Sequence, residues 1–314
     1  MQNTNWNFKT IDFDRVFFNF SQESITEFNQ YLKTVPKVLH VDELKIDRQV
    51  FPNILNDLIK LTSETDSGQR FVVTRPIPNL TEPQIEIFHW VLSNLLGETI
   101  VQNEEGRHLI HIYDRDPKRR IKDGARYHQT HETGSIHTDN VNIPENYQYL
   151  LVGCVSPAMI GGENIIVSGQ SVFDFLKEKA PNELKILMEN FCFEYRGISR
   201  ELYDAPIITM NKLGEPLYRH LRTYMESAHA RANKPLNDDQ VRALDALDAT
   251  LGMSQFQLLY RLNKGEILVA NDSQILHDRR SFVDAADTIT LDEHKNGKVG
   301  TLKRTLLRTW VRKV

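Results

Sequence analysis

His137 and Asp139 stand one residue apart in Gly134-Ser135-Ile136-His137-Thr138-Asp139. His277 follows 140 residues later in Ile275-Leu276-His277-Asp278-Arg279. Two imidazoles and a carboxylate are the donor set of a facial triad, which holds Fe(II) on one face and leaves the remaining octahedral positions open. On an extended strand alternate side chains point the same way, so one strand presents His137 and Asp139 to one ion while Thr138 points away. The basic and apolar segment Lys303-Arg304-Thr305-Leu306-Leu307-Arg308-Thr309-Trp310 supplies late arginines. Arg304, Leu306, Arg308 and Trp310 share one strand face. A guanidinium grips a carboxylate through two parallel N–H groups, which fits an acidic co-substrate beside the metal. The chemistry this implies is oxidation of a small molecule with O2. A rival set, His128, His131 and His137, would instead suit a closed zinc site or a zinc hydrolase.

The elements that must position these groups are legible as periodicities. Ile54, Leu55, Leu58 and Ile59 have helical spacing. Residues 70–74 read as a strand stopped by Pro76, and Thr81 with Pro83 reads as the start of a helix ending near Gly97. From residue 108 short strands take over, at 108–113, 147–155 and 163–167. Helices follow at 172–178 and 183–190, then strands at 191–195 and 206–210. Asn237 or Asp238 caps a helix carrying Val241, Leu244, Leu247 and Leu251. Strands return at 256–262, 266–270 and 304–311, with Asn263-Lys264-Gly265 as a turn. His277 falls just past the turn residues Asn271-Asp272-Ser273, a plausible barrel rim. This pattern predicts an α+β, mainly β chain: a jelly-roll core with flanking helices and an inserted lid region.

The 314 residues allow one large domain or two ordinary ones. No linker or repeat interrupts them, so a single domain 1–314 is expected. It divides into an N-terminal helix-and-strand part, 1–100, and a jelly-roll part, 101–314, with an insertion at about 170–255. The net charge of −4, with only short basic runs such as Lys118-Arg119-Arg120, excludes a nucleic-acid partner. No apolar run is long enough to span a bilayer, and no basic-then-apolar leader opens the chain. Cys154 and Cys192 lie in apolar segments and read as buried free thiols. A reducing cytoplasm fits this usage, and it also keeps ferrous iron reduced. Self-association into a homo-oligomer is left open.

Gly134 to Asn140 resembles the iron-binding segment of the taurine dioxygenase-like (TauD/TfdA) family of Fe(II)/2-oxoglutarate-dependent oxygenases. Gly161-Gly162-Glu163-Asn164 resembles that family's Gly-Gly-acidic-Thr/Ser turn, and Asn271 to Phe282 resembles its distal histidine block. Matching blocks run from about residue 69 to 312. The resemblance implies a double-stranded β-helix (cupin-like) core, Fe(II), 2-oxoglutarate and O2, with ascorbate as an aid in vitro. It implies His137, Asp139 and His277 as ligands and Arg304 as the 2-oxoglutarate anchor. Arg308 would be the second arginine, Asn164 a weaker co-substrate contact, and Arg279 a supporting residue behind the site. Two departures stand out. The 27 residues from His277 to Arg304 are about double the family's spacing, which leaves Arg304 and Arg308 competing for the anchor role. Asn164 also stands where Thr or Ser is usual. Family halogenases carry Ala or Gly at the position of Asp139, so hydroxylation is expected. Desaturation and ring closure use the same triad.

For the substrate, Tyr127, Gln129 and Glu132 precede the first iron segment, and Glu132 would hold an ammonium. Arg196, Arg219, Arg222 and Tyr224 lie in the insertion, where Arg219, Arg222 or Arg308 would hold a carboxylate. Such a clamp suits a small polar metabolite such as a free amino acid. A sulfonate is the nearest rival substrate, and a non-catalytic metal-binding protein is the rival from another class.

Overall fold

The computed structural model describes residues 4–115, 129–142, 147–195, 199, 201–284, 288–289 and 301–313. Tyr127, His128, Arg196, the basic run 118–120 and most of the stretch between Val283 and Lys303 lie outside the described residues.

Short, nearly continuous apolar runs build a seven-stranded sheet. Its central strand, Tyr149–Ser156, pairs antiparallel with Ile267–Asn271 on one side and Thr305–Arg312 on the other. Phe71–Thr74 and then Phe17–Phe18 extend the first side. Ile110–Ile112 and Glu98–Thr99 both border Thr305–Arg312. A smaller sheet of three antiparallel strands runs Gln257–Tyr260, Asn164–Ser168, Ile275–Arg279.

The central strand is apolar throughout because both its faces are covered. Leu150, Val152 and Cys154 share an inner core with Leu268, Ala270, Leu306 and Trp310, and also with Ile166, Leu258 and Ile275 of the smaller sheet. Tyr149 and Leu151 face the other way, against Phe88, Val91, Leu92 and Leu95 of the helix Glu82–Leu96. That helix begins as its sequence predicts, with Thr81 and Gln84 capping each other. The space between the two sheets therefore holds the functional groups, and the outer faces hold the scaffold.

The inserted stretch builds its own core on the back of the smaller sheet. Helices Gly169–Lys179, Pro181–Leu187, Arg222–Arg231 and Asp238–Leu251 pack Val172, Leu184, Met225, Leu244 and Leu247 against Ile165, Val167 and Leu276. Asn237 caps the last of them, its Oδ1 accepting from the Gln240 N–H at 2.8 Å. No helix among the described residues is long and apolar enough to cross a membrane.

Two local expectations change. The segment carrying His137 and Asp139 is not a regular strand: His137 makes one isolated β-bridge and Asp139 opens the 3-10 turn Asp139–Asn142. His277 is not on a loop rim but in the middle of the strand Ile275–Arg279. The reason is the same for both. The bridge partner of His137 is His277, and neither segment contains the other's half of the pattern.

Candidate active site

Backbone pairing places the two imidazoles. The His137 N–H donates to the His277 carbonyl at 2.9 Å, and the His277 N–H donates to the His137 carbonyl at 2.8 Å. Directly opposed residues of an antiparallel pair put their side chains on one face. The rings accordingly lie 4.6 Å apart, centroid to centroid. Thr138 is fully buried and turned to a different neighbour, its Oγ1 accepting from the His220 N–H at 3.0 Å.

His137 and Asp139 have fixed orientations. A carbonyl only accepts, so the 2.7 Å contact of His137 Nδ1 with the Ser135 carbonyl assigns the proton to Nδ1. Nε2 is thereby turned to Asp139 Oδ1, at 3.4 Å. His277 Nε2 lies 3.9 Å from the same oxygen. The outer oxygen of Asp139, Oδ2, is already engaged: Arg308 Nη1 and Trp310 Nε1 both donate to it at 3.0 Å. Trp310 is itself held by stacking on Tyr147, at 5.1 Å and 12° between planes. Only Oδ1 is thus turned to the imidazoles.

His137, Asp139 and His277 form the one such metal-ligand cluster among the described residues, with donor atoms within 4.8 Å of one another. Two ligands held at right angles about 2.1 Å from one ion sit about 3 Å apart, so these groups fit a single divalent ion after small adjustments. Burial lowers the His137 pKa, but its hydrogen bond to Asp139 and the charges of Asp139 and Asp278 outweigh this and raise it, so a metal ion would replace a proton on Nε2. Burial, then the neighbouring His137, pushes the His277 pKa down to about 3, so its imidazole is neutral at pH 7. Burial alone would raise the Asp139 pKa, but Arg308 and the two imidazoles outweigh it and hold the carboxyl well below its ordinary range. Behind them Asp272 is fully buried; its Oδ1 accepts from the Asp139 N–H at 3.1 Å and lies 3.8 Å from His277 Nδ1. At 3.8 Å it makes no hydrogen bond to that nitrogen, which is buried without a partner; its hold is on the Asp139 backbone, and burial, then the charge of Asp139, raises the Asp272 pKa to about 7. Of the rival zinc set, His131 Nδ1 pairs with Asp114 at 2.7 Å, and His128 lies outside the described residues.

The triad opens into a cavity of about 400 Å³ between the sheets. That is a small-molecule size. Arg304, Asn164 and Arg308 all line it. The two arginines differ in one respect. Arg308 is committed, to Asp139 and through Nε to Gln102 Oε1 at 2.8 Å. Arg304 is 2% exposed, and its Nη1 is buried without a hydrogen-bond partner. Burial, then repulsion from Arg279, lowers the Arg304 pKa to about 9. Both guanidinium groups lie 4.8 Å from the Phe282 ring centroid. Arg279 also lines the cavity and donates from Nη2 to the Glu132 carbonyl. A buried cation with an open donor is a receptor for an anion.

Arg304 owes its position to a glycine. Gly162 has φ +75°, and a Cβ there would come within 2.9 Å of Arg304 Nε. Gly162→Ala adds strain of about 1–2 kcal/mol and crowds the guanidinium. We expect roughly tenfold weaker 2-oxoglutarate binding, read by titration of the Fe(II) protein, with iron affinity unchanged.

The other substrate candidates divide. Gln129 lines the cavity, and so does Tyr224. Arg222 does not: Glu226, Asp245 and Asp248 hold it in ion pairs at 2.7–2.8 Å on the helical insert. Arg219 is buried behind the cavity wall, donating to the Tyr203 hydroxyl at 2.8 Å. Glu132 is not among the lining residues, and its carbonyl is what Arg279 uses. For Arg219 and Arg222 the cause is shared: nearer partners on the insert claim the guanidinium groups first. Gln102, Glu104, Glu105 and Arg115 line the cavity unannounced. Gln102 had no signal, because its partner Arg308 is 206 residues away. The acidic pair had a faint one, a turn-forming Asn103-Glu104-Glu105-Gly106.

The family model described as taurine catabolism dioxygenase TauD, TfdA family, matches residues 56–310. The chain belongs to the TauD/TfdA family. Among curated relatives, FR-33289 synthase of Streptomyces rubellomurinus is 25% identical over 242 residues, 75% of this chain and 66% of that protein. The taurine hydroxylase-like protein SAT17 of Stachybotrys chartarum is 21% identical over 241 residues, 74% of this chain and 61% of that protein. The chain thus spans a little under two thirds of the length of these relatives. Among solved structures, asparagine oxygenase in complex with Fe(II), 2S,3S-3-hydroxyasparagine and succinate matches with a TM-score of 0.65 at 13% identity, covering 95% of this chain and 93% of that one. The non-heme iron oxygenase OrfP, in complex with Fe, succinate and (3S)-hydroxy-L-Arg, matches with a TM-score of 0.63 at 15% identity, covering 94% of each chain. These likenesses establish the cupin-type fold of the TauD/TfdA chain.

Proposed function

We propose that this protein is an Fe(II)/2-oxoglutarate-dependent oxygenase that hydroxylates a C–H bond of a free amino acid. One observation carries the reading: a two-histidine, one-carboxylate cluster with its outer carboxylate oxygen already engaged, beside a buried arginine with an open donor. Family membership and the titles of the two structural neighbours, an asparagine oxygenase and an OrfP complex with hydroxyarginine, support it.

His137 Nε2, Asp139 Oδ1 and His277 Nε2 hold the iron. Fe(II) with 2-oxoglutarate and O2 supplies the oxidising power, and the oxo acid leaves as succinate and CO2. The chain's own residues do the positioning. Arg304 takes the far carboxylate of 2-oxoglutarate, with Asn164 beside it as the weaker contact. Asn164 already donates to the Tyr260 carbonyl at 3.2 Å, which fixes its amide plane. Arg308 is a positioning residue that keeps Asp139 a one-oxygen ligand. Asp272 orients Asp139 through its backbone N–H, and Arg279 supports the anion end.

Leu221 and Tyr224 are the insert's contributions to the cavity wall. We assign the insert at about 170–255 as the cover of the site within a double-stranded β-helix domain. Limited proteolysis tests this: 2-oxoglutarate and substrate together should protect the insert, and equal cleavage with and without them would dismiss a cover. Both cysteines are buried, which suits a reducing cytoplasm; cell fractionation checks the location.

The test of the function is succinate release from 2-oxoglutarate under air, with Fe(II) and ascorbate. An amino-acid panel and taurine are added singly. Stimulation by an amino acid, with a product heavier by one oxygen, is the expected result. Stimulation by taurine alone would move the assignment to a sulfonate. A protein that binds iron but neither binds nor decarboxylates 2-oxoglutarate would overturn the oxygenase reading.

A further inference from the structure

The cavity wall carries three charged side chains that the triad and the co-substrate anchor do not use: Glu104, Glu105 and Arg115. All three are exposed, whereas Asp139 is buried, so they stand toward the mouth. Among the described residues none of the three has an ion pair. The other charged groups on the wall are already engaged. Arg308 pairs with Asp139, Asp278 accepts from the Thr133 hydroxyl at 3.3 Å, and Arg279 is bound to the Glu132 carbonyl. Arg304, with its buried Nη1 open, faces the same cavity and is given to 2-oxoglutarate, which leaves Glu104, Glu105 and Arg115 for a second ligand.

The acidic pair sits on a built loop. Asn103 Oδ1 accepts from the N–H groups of Glu105 at 3.2 Å and Arg107 at 3.0 Å. Gly106, at φ +73°, closes the turn by donating to the Asn103 carbonyl at 3.1 Å. The base of the loop is tied to the iron site: the Gln102 amide donates to the Arg308 carbonyl at 2.9 Å, and its oxygen accepts from Arg308 Nε. These bonds order the loop backbone; the two carboxylates it carries, on adjacent residues of one cavity wall, repel each other, and a cation between them relieves the repulsion. Arg115 is fixed too. Its N–H donates to the Gln129 carbonyl at 3.2 Å, and its guanidinium lies 5.6 Å from the Tyr113 ring centroid.

We propose that Glu104 and Glu105 receive the α-ammonium, and Arg115 the α-carboxylate, of an amino acid bound as its zwitterion. This rests on the oxygenase reading and replaces Glu132, Arg219 and Arg222 as its substrate clamp. The zwitterion's charges stay at the mouth, and its side chain extends toward the triad.

The experiment is calorimetric binding to the anaerobic Fe(II)/2-oxoglutarate protein. Each amino acid of the panel is titrated beside its α-N-acetyl and carboxamide derivatives. The expected result is one preferred amino acid, bound at least tenfold more weakly after either modification. Glu104→Gln with Glu105→Gln should weaken the parent amino acid about tenfold or more and remove the discrimination against the N-acetyl form. Arg115→Met should do the same for the carboxamide. Equal binding of parent and derivatives to the wild type, or no amino acid bound at all, would overturn the clamp. The derivative series needs no variant, so a misfolded mutant cannot obscure it. The visible band of the Fe(II) protein with 2-oxoglutarate, recorded before any amino acid is added, separates the two levels. Its absence sinks the oxygenase reading, and its presence with indiscriminate binding sinks only the clamp.

Discussion

His277→Ala is expected to abolish ferrous-iron binding and all 2-oxoglutarate turnover while leaving the fold intact. The fold survives because His277 joins the sheet through its backbone, which bonds to His137 and to the strand Asn164–Ser168. The site does not survive, because two remaining donors cannot define a face of an octahedron. Removing a group that merely orients a ligand costs about 10–100-fold in metal affinity, so removing a ligand costs more. Anaerobic Fe(II) titration measures this, along with the visible band that 2-oxoglutarate produces on the iron. Asp272→Asn gives the graded comparison, expected in that 10–100-fold range. A His277→Ala protein with a band of wild-type strength would remove His277 from the ligand set.

Arg304→Ala should raise the 2-oxoglutarate KM by roughly 30- to 5,000-fold, the equivalent of about 2–5 kcal/mol for deleting one partner of a buried charge pair. Iron affinity should hold, since Arg304 touches no ligand. Arg304→Lys keeps the charge and loses the two-pronged geometry, so it should fall between. Arg308→Met should behave in the opposite way. It frees Asp139 Oδ2 from one of its two donors, at 3.0 Å, and so weakens iron first and 2-oxoglutarate only as a consequence. Titrating both variants with iron and then with 2-oxoglutarate decides the matter. If Arg308→Met lost more 2-oxoglutarate affinity than Arg304→Ala at saturating iron, the anchor assignment would be reversed.

The contrast between these arginines shows where sequence reading stopped. Both lie on one face by strand periodicity, and both reach the cavity. Their difference is set by Gln102 and Asp139, which lie 206 and 169 residues from Arg308 in the chain. Arg222 had the right charge for a substrate contact, yet three carboxylates of its own helical insert occupy it. A local pattern carries no record of such competition.

The sequence by itself determined the donor chemistry: two imidazoles, one carboxylate and a late pair of arginines, each with the right type for iron and an acidic co-substrate. It also determined most of the elements, because burial on one or both faces writes a period of 2.0 or 3.6 into the chain. The tertiary structure decided everything that depends on who meets whom. The bridge between His137 and His277 put both rings on one face. Arg308 and Trp310 engaged one oxygen of Asp139 and left the other turned to the imidazoles. The loop at Asn103–Gly106, marked in the sequence only as a turn, brought two carboxylates to the cavity wall. These outcomes rest on contacts between residues far apart in sequence, and a hydrogen bond depends on position and angle in space rather than on residue type alone.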